Sequence, residues 1–310
     1  MTAGPTRSPR AFLFSISDST RPAPPLTPDS RVLPPPSADL ITGSFNYDNK
    51  YTLDAKNAPV DGLKLTCGAT QKQNEPDPTG TLKSAYELAK GLVVEAEATL
   101  PGGKLSASVA HSDLVDGLKV TVSGDPKEPK GAKLALQMVK DAVGVKCDVK
   151  DLASGKPSLA ANVCVASGDV AVGASADVDC QTAAVSKYAV AAQLALDDTT
   201  VALVLADELQ TAKASVAAVL DADTKCAAEV SVKMKSKAVA ASLALSKKFS
   251  DACSGKVSVS SPLPVNGGVF NPVLSLYTTG DVAAKTTASL SVQVETSKKY
   301  KYGVQFATKL

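Results

Sequence analysis

Residues 103–124 read GKLSASVAHSDLVDGLKVTVSG. Leu105, Ala107 and Val109 fall on one parity, Leu118, Val120 and Val122 fall on another, and the turn formers of HSDLVDG separate them. An apolar residue at every second position gives an extended chain one apolar face and one wet face. The stretch therefore predicts two antiparallel strands joined by a polar turn.

The same unit recurs along most of the chain. In TKCAAEVSVKMK, residues 224–235, Cys226, Ala228, Val230, Val232 and Met234 oppose Lys225, Glu229, Ser231, Lys233 and Lys235. In AVGVKCDVK, residues 142–150, Val143, Val145, Cys147 and Val149 oppose Lys146, Asp148 and Lys150. SLSVQVE, residues 289–295, repeats the rhythm with Leu290, Val292 and Val294. A helix would smear these charges around its whole circumference. Nineteen such segments follow one another, the first at 45–54 and the last at 300–309, and most connections are short.

Residues 1–43 differ from the rest. They hold nine of the nineteen prolines, a density that blocks helix and sheet ladders alike. We expect a largely disordered Pro-rich tail, interrupted by the short apolar island AFLFSIS at 11–17. Arg7, Arg10, Arg21 and Arg31, with few acids nearby, leave an organellar targeting segment as one alternative, and a lumenal or interfacial helix is the other. The β domain is then 44–310.

Composition excludes several classes of function. The 33 basic and 31 acidic residues nearly cancel, so there is no polybasic face for nucleic acid. Cys67, Cys147, Cys164, Cys180, Cys226 and Cys253 are widely spaced without a C-x-x-C pair, which gives no metal or redox motif. His111 is the single histidine and no nucleophile elbow accompanies it, so we expect no catalytic residues. No Gly-rich phosphate cradle is present, and no cofactor is expected. No apolar run approaches the 18 to 20 residues of a transmembrane helix.

Nineteen strands in one open sheet would exceed the usual size limit of about ten and leave two raw edges. Closure into a barrel removes both. Nine residues at about 3.3 Å each, tilted by about 40°, rise roughly 23 Å, close to the apolar band of a membrane barrel. A soluble stacked sheet would need large buried side chains, yet aromatics are 4% of the chain and Trp is absent. The sequence thus predicts an all-β closed transmembrane barrel, its apolar parity on lipid and its polar parity on water.

An odd strand count makes the first and last strands parallel where they meet. The candidate pore-lining lysines are Lys64, Lys119, Lys133, Lys146, Lys150, Lys213, Lys225, Lys233, Lys235, Lys285 and Lys301, against Glu95, Glu97, Asp148, Asp177, Glu229 and Glu295. A wall with that basic excess favours small anions over cations.

Gly117-Leu118-Lys119 stands on the sixth predicted strand, and Gly62-Leu63-Lys64 repeats the tripeptide on the second. The C-terminal YKYGVQFATKL fits a polar-x-Gly-x-x-hydrophobic insertion signal through Lys301, Gly303 and Phe306, with Thr308 in place of the usual final hydrophobic. Over residues 45–310 the chain resembles the eukaryotic porins, the mitochondrial voltage-dependent anion channels, a family of nineteen-stranded barrels. The resemblance implies a lumenal Lys119 involved in nucleotide passage and a location in the mitochondrial outer membrane, the plastid outer envelope being the alternative. It implies as partners the lipid bilayer, small anions and nucleotides such as ATP and ADP, and a homo-oligomer or an outer-membrane complex. A protein-import or plastid-envelope pore is the rival barrel, and a soluble structural β protein the rival without a membrane. The family's amphipathic lumenal helix has no counterpart in the Pro-rich tail.

Overall fold

The computed structural model describes residues 37–55, 62–72, 75, 77–140, 142–263, 271–297 and 299–309. It contains one helical turn, α1 (Ala38–Ile41), and nineteen strands. The first nine are β1 (Asn49–Ala55), β2 (Leu63–Gln71), β3 (Thr79–Ala89), β4 (Leu92–Leu100), β5 (Lys104–Val115), β6 (Leu118–Asp125), β7 (Glu128–Lys140), β8 (Val143–Lys150) and β9 (Ser158–Ser167). The remainder are β10 (Val170–Asp179), β11 (Val185–Leu196), β12 (Thr199–Ala206), β13 (Thr211–Val219), β14 (Thr224–Lys233), β15 (Ala238–Ser250), β16 (Cys253–Leu263), β17 (Val273–Ala283), β18 (Thr286–Glu295) and β19 (Tyr300–Lys309).

Each strand pairs antiparallel with its sequence neighbours, and β1 closes the ring by pairing with β19 in parallel, Tyr51 opposite Phe306. The closed sheet has no free edge. With strands about 4.8 Å apart and tilted by about 40°, nineteen of them form a cylinder of roughly 19 Å radius, more than side chains alone can fill.

Exposure separates the two faces. A concave wall crowds its side chains while a convex one spreads them. On β12, Ala202 and Val204 are 5% and 7% exposed, whereas Val201 and Leu203 are 42% and 50%. Ala202 pairs with Ser215 and Val204 with Lys213, so the parity carrying the polar residues is the inner one. The outer parity presents Val109, Val122, Val172, Leu203, Leu243 and Leu276, all well exposed. Such a continuous apolar belt matches a lipid-facing band and nothing on a soluble monomer. Among the described residues the buried apolar set is Ile41, Val204 and six alanines, which is no packed core.

Several boundaries differ from the sequence reading. β5 continues through most of the expected HSDLVDG turn to Val115, with a register shift between His111 and Val115, and two more differences lie near the N-terminus. The Pro-rich tail was expected to run to residue 43, yet Ala38–Ile41 form a helical turn; residues 1–36, with the apolar island, lie outside the described residues. The first strand was expected from residue 45 but begins at Asn49. The intervening Phe45–Asp48 keeps the alternating pattern while making side-chain and backbone contacts to the inner wall instead of a ladder.

Candidate functional site

The ladder fixes which side chains share the inner face. One row runs Lys64, Ala85, Glu95, Ser108, Ser123, Lys133 from β2 to β7. A second runs Lys119, Gln137, Lys146, Asn162, Ser175 from β6 to β10. On the far side, Lys225, Ser246, Lys256, Tyr277, Ser291 and Gly303 form a row from β14 to β19. Lys150 faces Ser158, Lys213 faces Ser231, Lys233 faces Thr211 and Lys301 faces Gln293, all in the inner parity.

Lys235 and Lys285 stand elsewhere, in the β14–β15 and β17–β18 turns. In the sequence Lys235 continues the rhythm of Lys225 and Lys233, but the ladder ends at Lys233. Lys285 has φ +64°, a turn conformation rather than a wall position. The same ladder brings Lys50, Lys83, Lys104, Lys187 and Lys256 onto the inner face, none of which the sequence reading named. Their signal was present, since Lys256 opposes Val257 and Val259 as Lys146 opposes Val145 and Cys147.

Part of the basic excess is neutralised locally. Lys83 Nζ lies 2.8 Å from Glu97 Oε2, and Lys146 Nζ lies 3.3 Å from Asp148 Oδ2. Pairs this exposed contribute about 0 to 1 kcal/mol, so they shape the local field more than the stability. Among the described residues no group of His, Cys, Asp and Glu could hold a metal ion.

The two Gly-Leu-Lys tripeptides do the same job. Gly62 and Gly117 have φ +81° and +75° and lead into β2 and β6. At Gly117 a Cβ would collide with the Val139 carbonyl oxygen, while Val139 N–H donates to Gly117 O at 2.9 Å. Only glycine suits that turn. The period of two then sends Leu63 and Leu118 outward and Lys64 and Lys119 inward, both beside the same mouth of the barrel.

In the C-terminal motif, Lys301 and Gly303 face inward, and Phe306 faces outward against Tyr51. Thr308 Oγ1 lies 3.2 Å from Thr286 Oγ1.

Residues 37–48 form a strap along the inner face of β14–β19. Leu40 and Ile41 pack on Ala217, Ala227 and Ala244. Ser37 Oγ donates to Glu229 Oε2 at 3.3 Å. Lys256 Nζ donates to the carbonyl oxygens of Asp39 and Gly43, at 2.7 Å for Gly43, and lies 5.3 Å from the centre of the Phe45 ring. Cationic donors at the end of a helical turn satisfy carbonyls that the helix leaves unpaired. Phe45 meets Tyr277 edge-on at 6.4 Å, and Tyr47 OH donates to Ser275 Oγ at 3.1 Å. Burial pushes the Tyr47 phenol up, with the Ser275 hydrogen bond acting the other way.

The eukaryotic porin family model matches residues 39–306. The mitochondrial outer membrane protein porin 6 of Oryza sativa subsp. japonica is 27% identical over 236 residues, 71% of this chain and 81% of that protein. Among solved structures, a mutant of the Rh. blastica porin is 14% identical with a TM-score of 0.46, covering 73% of this chain and 88% of its own. A second mutant of that porin is 11% identical with a TM-score of 0.45, over 83% and 95%. Because the family match runs from α1 into β19, the chain belongs to the eukaryotic porin family, and its barrel is a diffusion channel rather than an enzyme.

Proposed function

We propose that this barrel is a weakly anion-selective channel of the mitochondrial outer membrane that passes small anions and nucleotides such as ATP and ADP. The observation that supports the reading is the ladder register, which aligns Lys64, Lys119, Lys133, Lys146, Lys150, Lys213, Lys225, Lys233 and Lys301, together with Lys50, Lys83, Lys104, Lys187 and Lys256, on one face. The acids of that face, Asp54, Glu87, Asp179 and Asp281 beside those read from the sequence, are fewer. A wide bore with fixed positive charge enriches anions within about one Debye length of its wall, roughly 8 Å at physiological salt. The preference is therefore weak and salt-dependent. The name of the rice relative supports the mitochondrial outer membrane over the plastid envelope.

The test is a planar bilayer holding the purified chain between unequal KCl solutions. A reversal potential displaced toward the chloride equilibrium potential, and release of ATP from loaded vesicles, are expected. A displacement toward the potassium potential would overturn the anion preference, and retention of ATP would overturn the nucleotide reading.

A further inference from the structure

Gly303 belongs to the inner parity of β19 and is buried where Asn46–Asp48 crosses the wall. A Cβ at this position would stand 2.5 Å from Asn46 O, 2.6 Å from Tyr47 C and 2.8 Å from Asp48 N. All three are backbone atoms, which cannot rotate away, so any side chain here displaces the crossing segment. Ser291, opposite Gly303 on the ladder, is 1% exposed, and its hydroxyl accepts the Asn46 N–H at 3.2 Å. One residue along, Val304 N–H donates to Asn49 Oδ1 at 3.2 Å. The crossing is thus held by a missing side chain and hydrogen bonds on both sides of it.

The geometry points to Gly303, with Ser291, as the seat of the strap: this notch holds Asn46–Asp48 against the wall and so keeps Asp39, Gly43 and Phe45 over Lys256. The consequence concerns selectivity and rests on the channel reading above. While the strap is seated, the Lys256 ammonium spends its donors on backbone carbonyls and its outer face on an aromatic ring. It is withheld from permeating ions. Gly303 and Ser291 are positioning residues, acting through the strap on the set of lysines that ions meet.

Two measurements on the full chain in vesicles test this. The first labels lysines with a small amine-reactive ester and quantifies Lys256 against Lys301, an inner-face lysine with no strap contact among those described. In Gly303→Ala, Lys256 should react several times faster than in the parent, with Lys301 unchanged. Ser291→Ala, which adds no bulk, should raise it by about fivefold or less, the population change that goes with losing one net hydrogen bond. Equal Lys256 labelling in the parent and in Ser291→Ala, and in Gly303→Ala where that variant inserts, overturns the seat.

The second measures reversal potential in a salt gradient. Lys256→Gln should leave the anion preference of the parent unchanged and lower it in the Gly303→Ala or Ser291→Ala background. A merely misfolded barrel would not show that background dependence, and equal shifts in both backgrounds overturn the role of the strap in selectivity. A parent barrel that does not conduct would sink the channel reading alone, because the labelling still reports the seat.

Discussion

Tyr51 of β1 stacks on Phe306 of β19, ring centroids 5.8 Å apart and planes 11° from parallel, across the one junction where two strands run in the same direction. Parallel pairs hold slightly less well per residue than antiparallel ones, and this junction must also join the two ends of the ladder. The outward stack reinforces it from the lipid side. Phe306→Ala should lower the unfolding free energy by about 1 kcal/mol beyond the lost area, the usual scale of an aromatic pair. A urea series on the reconstituted barrel measures it. Phe306→Tyr, which keeps the stack, should cost much less, and equal losses would show that the stack contributes nothing.

Leu243 and Ser242 are neighbours on β15 whose side chains meet different solvents. Leu243 is 63% exposed on the outer face, while Ser242 pairs with Glu229 on the inner one. Leu243→Arg places a charge against hydrocarbon and should destabilise the barrel by about 2 to 4 kcal/mol if it lies near the bilayer midplane. Ser242→Arg, beside Glu229, should be tolerated. Unfolding midpoints in lipid of fixed thickness compare the two, and equal costs would contradict the assignment of faces.

The barrel was legible in the sequence because two solvents write two parities. Val230 against Ser231 and Leu290 against Ser291 carry the same information wherever they sit in the chain, so strand number, hairpin pairing and the parallel closure followed from local pattern. What stayed hidden depends on contacts distant in sequence. Lys256 meets Asp39 across 217 positions, and no local rule tells a clamped lysine from a wet one. Gly303 read as part of a terminal motif, and its proximity to Asn46 exists only after the ring closes. Phe45 and Tyr47 keep the period of a strand, so the ladder alone reveals that β1 begins four residues later than expected. Lys235 shows the converse, a lysine in phase with the wall beyond the last rung.

Wall and turn lysines should separate in a selectivity series. Lys119→Gln and Lys213→Gln each remove an inner-face charge, whereas Lys235→Gln and Lys285→Gln remove charges at the rims. Rim charges are screened over roughly 3 Å at 1 M salt. Wall charges in the aqueous bore are screened in the same way. At 0.1 M the two wall variants should therefore lower the chloride preference more than the two turn variants, and at 1 M all four effects should shrink. Reversal potentials at 0.1 M and 1 M salt decide it. An effect of Lys235→Gln equal to that of Lys119→Gln would mean that the register does not set selectivity.

The two mouths carry different charge. Every odd-numbered strand ends at the same mouth, and the described turns there include Asp116, Asp169, Asp197, Asp198, Asp221, Asp223 and Asp251. Asp251 is paired with Lys248, while Lys247 and Lys248 also act on Asp221 and Asp223, and Lys90 and Lys285 stand in other turns of this mouth. The acids still outnumber the bases there, most densely at the β9–β10 and β11–β12 turns. The turns facing them at the other mouth are mixed, Asp207 and Glu208 against Lys235 and Lys237. A fixed charge at one entrance repels anions entering from that side, so current should differ with the sign of the voltage. The Debye length falls from about 10 Å at 0.1 M salt to about 3 Å at 1 M, and the asymmetry should vanish with it. Hydrogen bonds from the Asp223 backbone N–H and the Thr224 hydroxyl hold the Asp221 carboxyl below the usual carboxylate range. A depressed carboxyl stays ionised at mildly acidic pH and loses its charge only as pH falls below about 4. The Asp221 share of the rectification at 0.1 M should therefore persist at pH 5, and the rectification should fall in the variant with Asp197, Asp198, Asp221 and Asp223 changed to Asn. Current–voltage curves of oriented single channels measure this, and a symmetric curve from the parent at low salt would refute it.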